Sequence, residues 1–268
     1  MSVTIETSLV PAGTPEPVQL VIEGIPSGAP YTVTGIVDGS SWPVPGGVGV
    51  GTGGQVVLID NRGALNAPVR YRVITGGRAW DSAAVTVPYE GGRWVLQSLD
   101  GDAALDFVWQ ANGLPQERVV RAAAFEVPGR ARPPMRTAPG GDGGGSLRVR
   151  TTRAGSAEMA SMLRKGRPVV LRTDGAARDW PAVELLLITD ASSALWEAYD
   201  PATGGMSTDR VWSLSYILVD DPQPSAVLSA FTWDDFDDAM STRTWAQFDT
   251  LFAGSTWDDL DTYPWTQL

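Results

Sequence analysis

The stretch Tyr31-Thr32-Val33-Thr34-Gly35-Ile36-Val37, closed by Asp38-Gly39, decides the fold class. Five of its first seven residues are β-branched, side chains whose stiffness about χ1 suits the pleated surface of a strand. Asp-Gly is turn chemistry. The same pattern extends to both sides. Val18 to Glu23 alternates weakly between apolar and polar residues, and Gln55 to Asp60, Val69 to Thr75 and Ala83 to Pro88 are further strand candidates. Pro26-Ser27-Gly28, the glycine-rich Gly46 to Gly54, Asn61-Arg62-Gly63 and Thr75-Gly76-Gly77 punctuate them. Short strands with such regular turn signals predict a small antiparallel β domain over residues 1–92.

A second β domain is expected over 93–224. Its strand candidates are Trp94 to Leu99, Val119 to Val127, Ser146 to Thr152, Pro168 to Thr173, Val183 to Thr189 and Val211 to Val219. One helix stands among them, at 156–165. Ser156 can cap its start, Met159, Met162 and Leu163 share a face, Arg164 and Lys165 suit the negative end of the dipole, and Gly166 can stop it. Pro139 to Gly145 reads as a flexible loop between strands.

Residues 225–268 are different in kind. Thr232-Trp233-Asp234-Asp235-Phe236-Asp237, Thr244-Trp245-Ala246-Gln247-Phe248-Asp249 and Thr256-Trp257-Asp258-Asp259-Leu260-Asp261 repeat every 12 residues. Thr followed three positions later by Asp or Gln is a capping-box pattern, so each unit can open a short helix. Trp and Phe or Leu, three apart, then share a face. Such short helices are marginal alone in water. Trp233, Phe236, Trp245, Phe248, Trp257, Leu260 and Trp265 are therefore expected to dock onto a protein surface. The predicted fold is mainly β: two β-sandwich or β-barrel-like domains, one short helix inserted in the second, and a C-terminal arm of short amphipathic helices.

Composition narrows the chemistry. The 268 residues include 30 Gly and 20 Pro but still 43% hydrophobic residues, enough to build a core. There is no Cys and no His, which removes disulfides, thiol nucleophiles and Ser–His or Cys–His catalysis. The net charge is −11, yet residues 118–178 hold 13 basic and 4 acidic groups, a basic middle between acidic flanks. With 19 Arg and one Lys, the usage fits a GC-rich genome. Met1 to Gly13 carries no positive charge and no long apolar run, so no signal peptide is expected, and no apolar run is long enough for a membrane segment.

Gly49-Val50-Gly51-Thr52-Gly53-Gly54 has the Gly-x-Gly-x-x-Gly spacing, but a strand rather than a helix is expected after it, so it reads as a loop and not as a dinucleotide site. Counting an EF-hand loop from Asp234 puts Ala239 and Trp245 at its sixth and twelfth positions, where calcium binding needs Gly and Glu. The basic middle has Phe125 as its one aromatic residue, so nucleic-acid binding is not expected. No acidic pair is singled out by spacing for glycoside hydrolysis. No catalytic residue, metal or cofactor is expected, and the protein is read as a non-enzyme.

Val127-Pro128-Gly129-Arg130-Ala131-Arg132-Pro133-Pro134, Leu147 to Thr152, the helix, Leu163-Arg164-Lys165-Gly166-Arg167-Pro168-Val169-Val170-Leu171-Arg172 and Val211-Trp212-Ser213-Leu214 to Pro222 together resemble tail-tip proteins of long-tailed phages of actinobacteria. The terminal repeats resemble the Thr-Tyr/Trp-x-x-Leu repeats that close many such minor tail proteins. The resemblance covers about 90–268; residues 1–90 match by class. It implies a structural component of the virion, at the distal tail or hub, made in the host cytoplasm. Its partners would be copies of itself in a ring and other tail proteins, with the arm docking on a neighbouring subunit. The alternative is a carbohydrate- or receptor-binding module at the tail tip, with a host glycan as ligand.

Overall fold

A computed structural model describes residues 2–11, 13–110, 116–119, 122–124, 135–137, 141–175, 180–197, 205, 207–222, 240–241 and 243–253, and these residues are mainly β. The chain divides into two compact units. The first comprises Met1–Arg93, Arg172–Val183 and Asp221–Leu268, the second Trp94–Leu171 and Glu184–Asp220.

The first unit opens with β1 (Thr4–Leu9), β2 (Val18–Glu23), β3 (Pro30–Val37), β4 (Ser40–Val50), β5 (Val56–Asp60), β6 (Pro68–Thr75), β7 (Arg78–Asp81) and β8 (Val85–Thr86). One antiparallel sheet has the order β1-β2-β5 and another β4-β3-β6-β7, with β8 also pairing β6. Period-two alternation supplies the core. Val18, Leu20 and Ile22 of β2, Tyr31, Val33 and Val37 of β3, and Val69, Tyr71 and Val73 of β6 are all buried. Asp38 and Gly39 take positive φ angles of 40° and 84° and join β3 to β4 in a two-residue turn with Val37 opposite Ser40. That is the twist a tight hairpin demands.

The glycine-rich stretch expected as a loop from Gly46 is strand as far as Val50. Its glycines serve close approach: a methyl group on Gly49 would lie 2.7 Å from the Tyr31 hydroxyl oxygen. The next element is the strand β5, not a helix.

The second unit contains β9 (Trp94–Ser98), β10 (Ala104–Asp106), β11 (Val108–Trp109), β12 (Gln116–Val119), β13 (Ala122–Ala124), β14 (Met135–Thr137), β15 (Gly141–Thr151), α1 (Arg153–Lys165), β18 (Arg210–Leu218) and most of β16 (Val169–Thr173) and β17 (Val183–Leu195), of which Arg172, Thr173 and Val183 count with the first unit. Its main sheet runs β10-β9-β16-β17-β18-β15-β11, with β12 also on β15, and β13 pairs β14 separately. The two ends of that order curl together. Trp94 of β9 meets Trp109 of β11 edge-on at 5.1 Å between ring centroids, and Phe107 meets Trp109 at 5.0 Å. The sheet is thus barrel-like.

Two expectations in this unit are corrected. Helix α1 begins a turn before Ser156: Thr152 is its N-cap and accepts from the Gly155 N–H. Ser156 is instead buried inside the helix, 2.7 Å from the Thr151 hydroxyl and 3.5 Å from the Trp212 indole nitrogen. Met159 and Met162 are buried with it, Leu163 only partly. Gly166 closes the helix in the left-handed conformation with φ 62°, as expected. The glycines of the expected loop, Gly141 to Gly145, begin β15 and pair with β12 and β18. A methyl on Gly144 would overlap the Tyr216 carbonyl oxygen, so a residue type that reads as loop is what lets this strand approach its neighbour.

Residues 172–183 and 221–268 group with the first unit. Long-range bonds tie 172–183 to residues earlier in that unit. Arg172 Nε donates to the Gly63 carbonyl at 2.9 Å, and the Leu65 N–H to the Thr173 carbonyl at 2.9 Å. The Thr173 N–H donates to the Ala182 carbonyl at 2.8 Å, and the Ala182 N–H to Ser40 Oγ at 3.2 Å.

Candidate functional site

Of the docking residues expected in the arm, Trp245 and Phe248 are described; Trp233, Phe236, Trp257, Leu260 and Trp265 lie outside the described residues. The middle repeat forms helix α2 (Trp245–Leu251). Thr244 caps it with the full reciprocal pair: its hydroxyl accepts from the Gln247 N–H, and the Gln247 side chain accepts from the Thr244 N–H at 2.8 Å. Two orphan donors of the first turn are thereby satisfied, which lets so short a helix form. Trp245 and Phe248 are adjacent on the helix, their rings 5.5 Å apart, and the Phe248 ring lies 4.9 Å from that of Phe252, tilted by 44°. Their exposures differ sharply. Phe248 is 9% exposed, whereas Trp245 is 68% exposed. The pair therefore divides into a buried anchor and an outward-facing indole.

A second constellation has no counterpart among the sequence expectations. In the first unit Asp60 is fully buried and accepts three hydrogen bonds: from Trp42 Nε1 at 3.0 Å, Tyr71 hydroxyl at 2.9 Å and the Arg62 N–H at 2.8 Å. The Arg62 guanidinium donates to the carboxylate of Asp221, both side chains almost wholly buried. Burial pushes the Arg172 guanidinium down to about 10, against the opposing pull of Asp60 and two tyrosines. Burial first, then Asp60, raises the Tyr71 hydroxyl well above its ordinary value. Asp60, Arg62 and Arg172 thus each meet a partner inside the first unit. Asp60 and Arg62 carried only a strand-and-turn reading, because their partners sit far along the chain.

The third is a cleft of about 220 Å³ on the second unit, lined by Arg148, Ser192, Ser193, Ala194, Leu195, Trp196, Val211 and Ser213. Strand register builds it. Arg148 lies opposite Ser213 and Ser213 opposite Ser192; one pair further, Arg150 lies opposite Val211 and Val211 opposite Ala194. The Arg150 guanidinium sits 5.0 Å from the centre of the Trp196 ring and 3.8 Å from Asp209. Among the described residues no helix is long and apolar enough to cross a membrane.

No protein-family model and no curated protein matches the chain.

Proposed function

We propose that the chain is a structural protein of a phage tail tip that assembles with copies of itself and with other tail proteins, its C-terminal repeats latching onto a neighbouring subunit. The observation that carries this reading is the middle repeat: a capped helix that buries Phe248 and presents Trp245 to solvent. Trp is the residue most enriched among interface hot spots. The same Thr-Trp-x-x-Phe/Leu-Asp unit occurs on either side, at 232–237 and 256–261, and anchors in series add avidity because docking one raises the effective concentration of the next.

A second surface supports assembly. On the outer face of the first unit's larger sheet, Val48 lies opposite Thr32 and Thr32 opposite Ile74, with Val50 opposite Pro30. Val48, Val50 and Ile74 are exposed. Exposed apolar side chains gathered on one sheet face, here around Thr32, suit a contact surface.

The test compares Trp245→Ala with Phe248→Ala in the full chain. Trp245→Ala should leave the melting temperature unchanged and abolish incorporation into tails, read by labelled protein in intact particles. Phe248→Ala should lower local stability as well, seen as faster amide exchange in α2. Wild-type incorporation of Trp245→Ala would overturn the latch.

A further inference from the structure

We propose that the cleft at Trp196 binds an anionic carbohydrate, a pyranose bearing a carboxylate. This does not rest on the assembly role, and the two are tested on different residues.

Alternation along β18 fixes which side chains face the cleft. Trp212, Leu214 and Tyr216 of β18 are buried, and Trp212 faces Ser156 of α1. Val211 and Ser213 therefore point to the opposite, outer face, and register carries Arg148, Arg150, Ser192 and Ala194 to that face with them. Side chains there are exposed at Arg148, Ser192 and Ser213, yet Val211 is 8% exposed. The floor of the cleft thus has an apolar spot beside a row of hydroxyls and a guanidinium.

Trp196 supplies the wall. Its backbone N–H donates to the Asp209 carbonyl at 2.9 Å, extending the β17–β18 pairing by one step. Arg150 stacks on its ring, so the indole is held in place and remains 38% exposed. A broad, fixed aromatic plane suits the flat C–H face of a pyranose and the hydroxyls beside it suit the ring's substituents. Arg150 is occupied by Trp196 and Asp209, whereas Arg148 makes no ion pair among the described residues. Its planar fork matches a carboxylate in two parallel bonds. The volume is below the roughly 300–1,000 Å³ of drug-sized pockets, which fits one sugar ring of an oligomer lying along an open cleft. An acidic peptide would satisfy Arg148 but offers no flat apolar face for the indole.

The experiment titrates the full chain with a short oligogalacturonate, its methyl ester and polyglutamate, following binding by calorimetry. The acid should bind at least about tenfold more tightly than the ester and than polyglutamate. Trp196→Ala and Arg148→Gln should each weaken it at least about tenfold, while Trp196→Tyr, which keeps a flat ring, retains most affinity. Arg164→Gln, an exposed charge on α1, should behave as wild type. Unchanged melting of each variant excludes unfolding as the cause. Equal binding of acid and ester, binding of polyglutamate as tight as the acid, equal losses for Arg164→Gln and Arg148→Gln, or no binding of the oligogalacturonate would each overturn the proposal.

Discussion

Asp60 accepts from a tryptophan, a tyrosine and a backbone amide because a carboxyl wholly removed from water needs donors for its lone pairs. Gly35 makes room for this: a methyl group there would overlap the Trp42 indole that reaches Asp60. Tyr71→Phe removes one of the three donors without altering shape, and should cost about 1–3 kcal/mol in denaturant unfolding. The folded state holds Tyr71 protonated above its ordinary value of 10.0, whereas the unfolded chain releases that proton, so stability falls as pH rises past about 10. Arg172 acts in the other sense: burial holds its guanidinium down to about 10 in the folded state, so above that pH the unfolded chain binds more protons and stability gains as pH rises. Tyr71→Phe should therefore remove the tyrosine's unfavourable share, so that the unfolding midpoint falls less, or rises more, with pH from about 9 to 12 than it does in the wild type; an unaltered slope would remove Tyr71 from the cause.

Among elements, α1 tests packing most directly. Met159 and Met162 are buried while Leu163 is half-buried. Met159→Ala should cost about 2–5 kcal/mol, and Leu163→Ala clearly less; equal losses would mean that the helix is rotated from this placement. At its far end Lys165 donates to Asp102 at 2.8 Å and lies 3.5 Å from Asp100, partly exposed contacts of small worth. This helix was legible from its apolar spacing and its Gly166 stop; its first turn was not, because Ser156 is as good a cap by type as Thr152. Strands β2, β3, β5 and β6 were legible from β-branched runs between turns. The glycine strands β4 and β15 were not, since composition alone cannot tell a glycine that bends the chain from one that lets a tyrosine or a carbonyl come close. The capping box of α2 was legible; the split between buried Phe248 and exposed Trp245 was not, because helix spacing puts both on one side and only packing distinguishes them.

At the scale of the whole molecule, local patterns reveal fold class but not which distant segments complete a unit. Arg62 binds Asp221 and Arg172 binds the Gly63 carbonyl, and nothing near either arginine in sequence announces it. The Trp196 cleft escaped for the same reason, being assembled across β15, β18 and β17 by register. A fragment of residues 1–92 should accordingly fold poorly, with Asp60 buried away from Arg172 and Arg62 deprived of Asp221. Its melting temperature should fall well below that of the first unit within the full chain, and addition of a 172–183 peptide should raise it; a fragment as stable as the full chain would contradict the long-range bonds. These returns also set a clock on biosynthesis. A ribosome delivers Asp60 and Arg62 long before Arg172, and Asp221 later still, so the first part to emerge is among the last to be finished. A polypeptide whose translation stalls before residue 172 lacks the partners of Gly63 and Arg62, and its front end should be cleaved faster than that of the full chain in limited proteolysis.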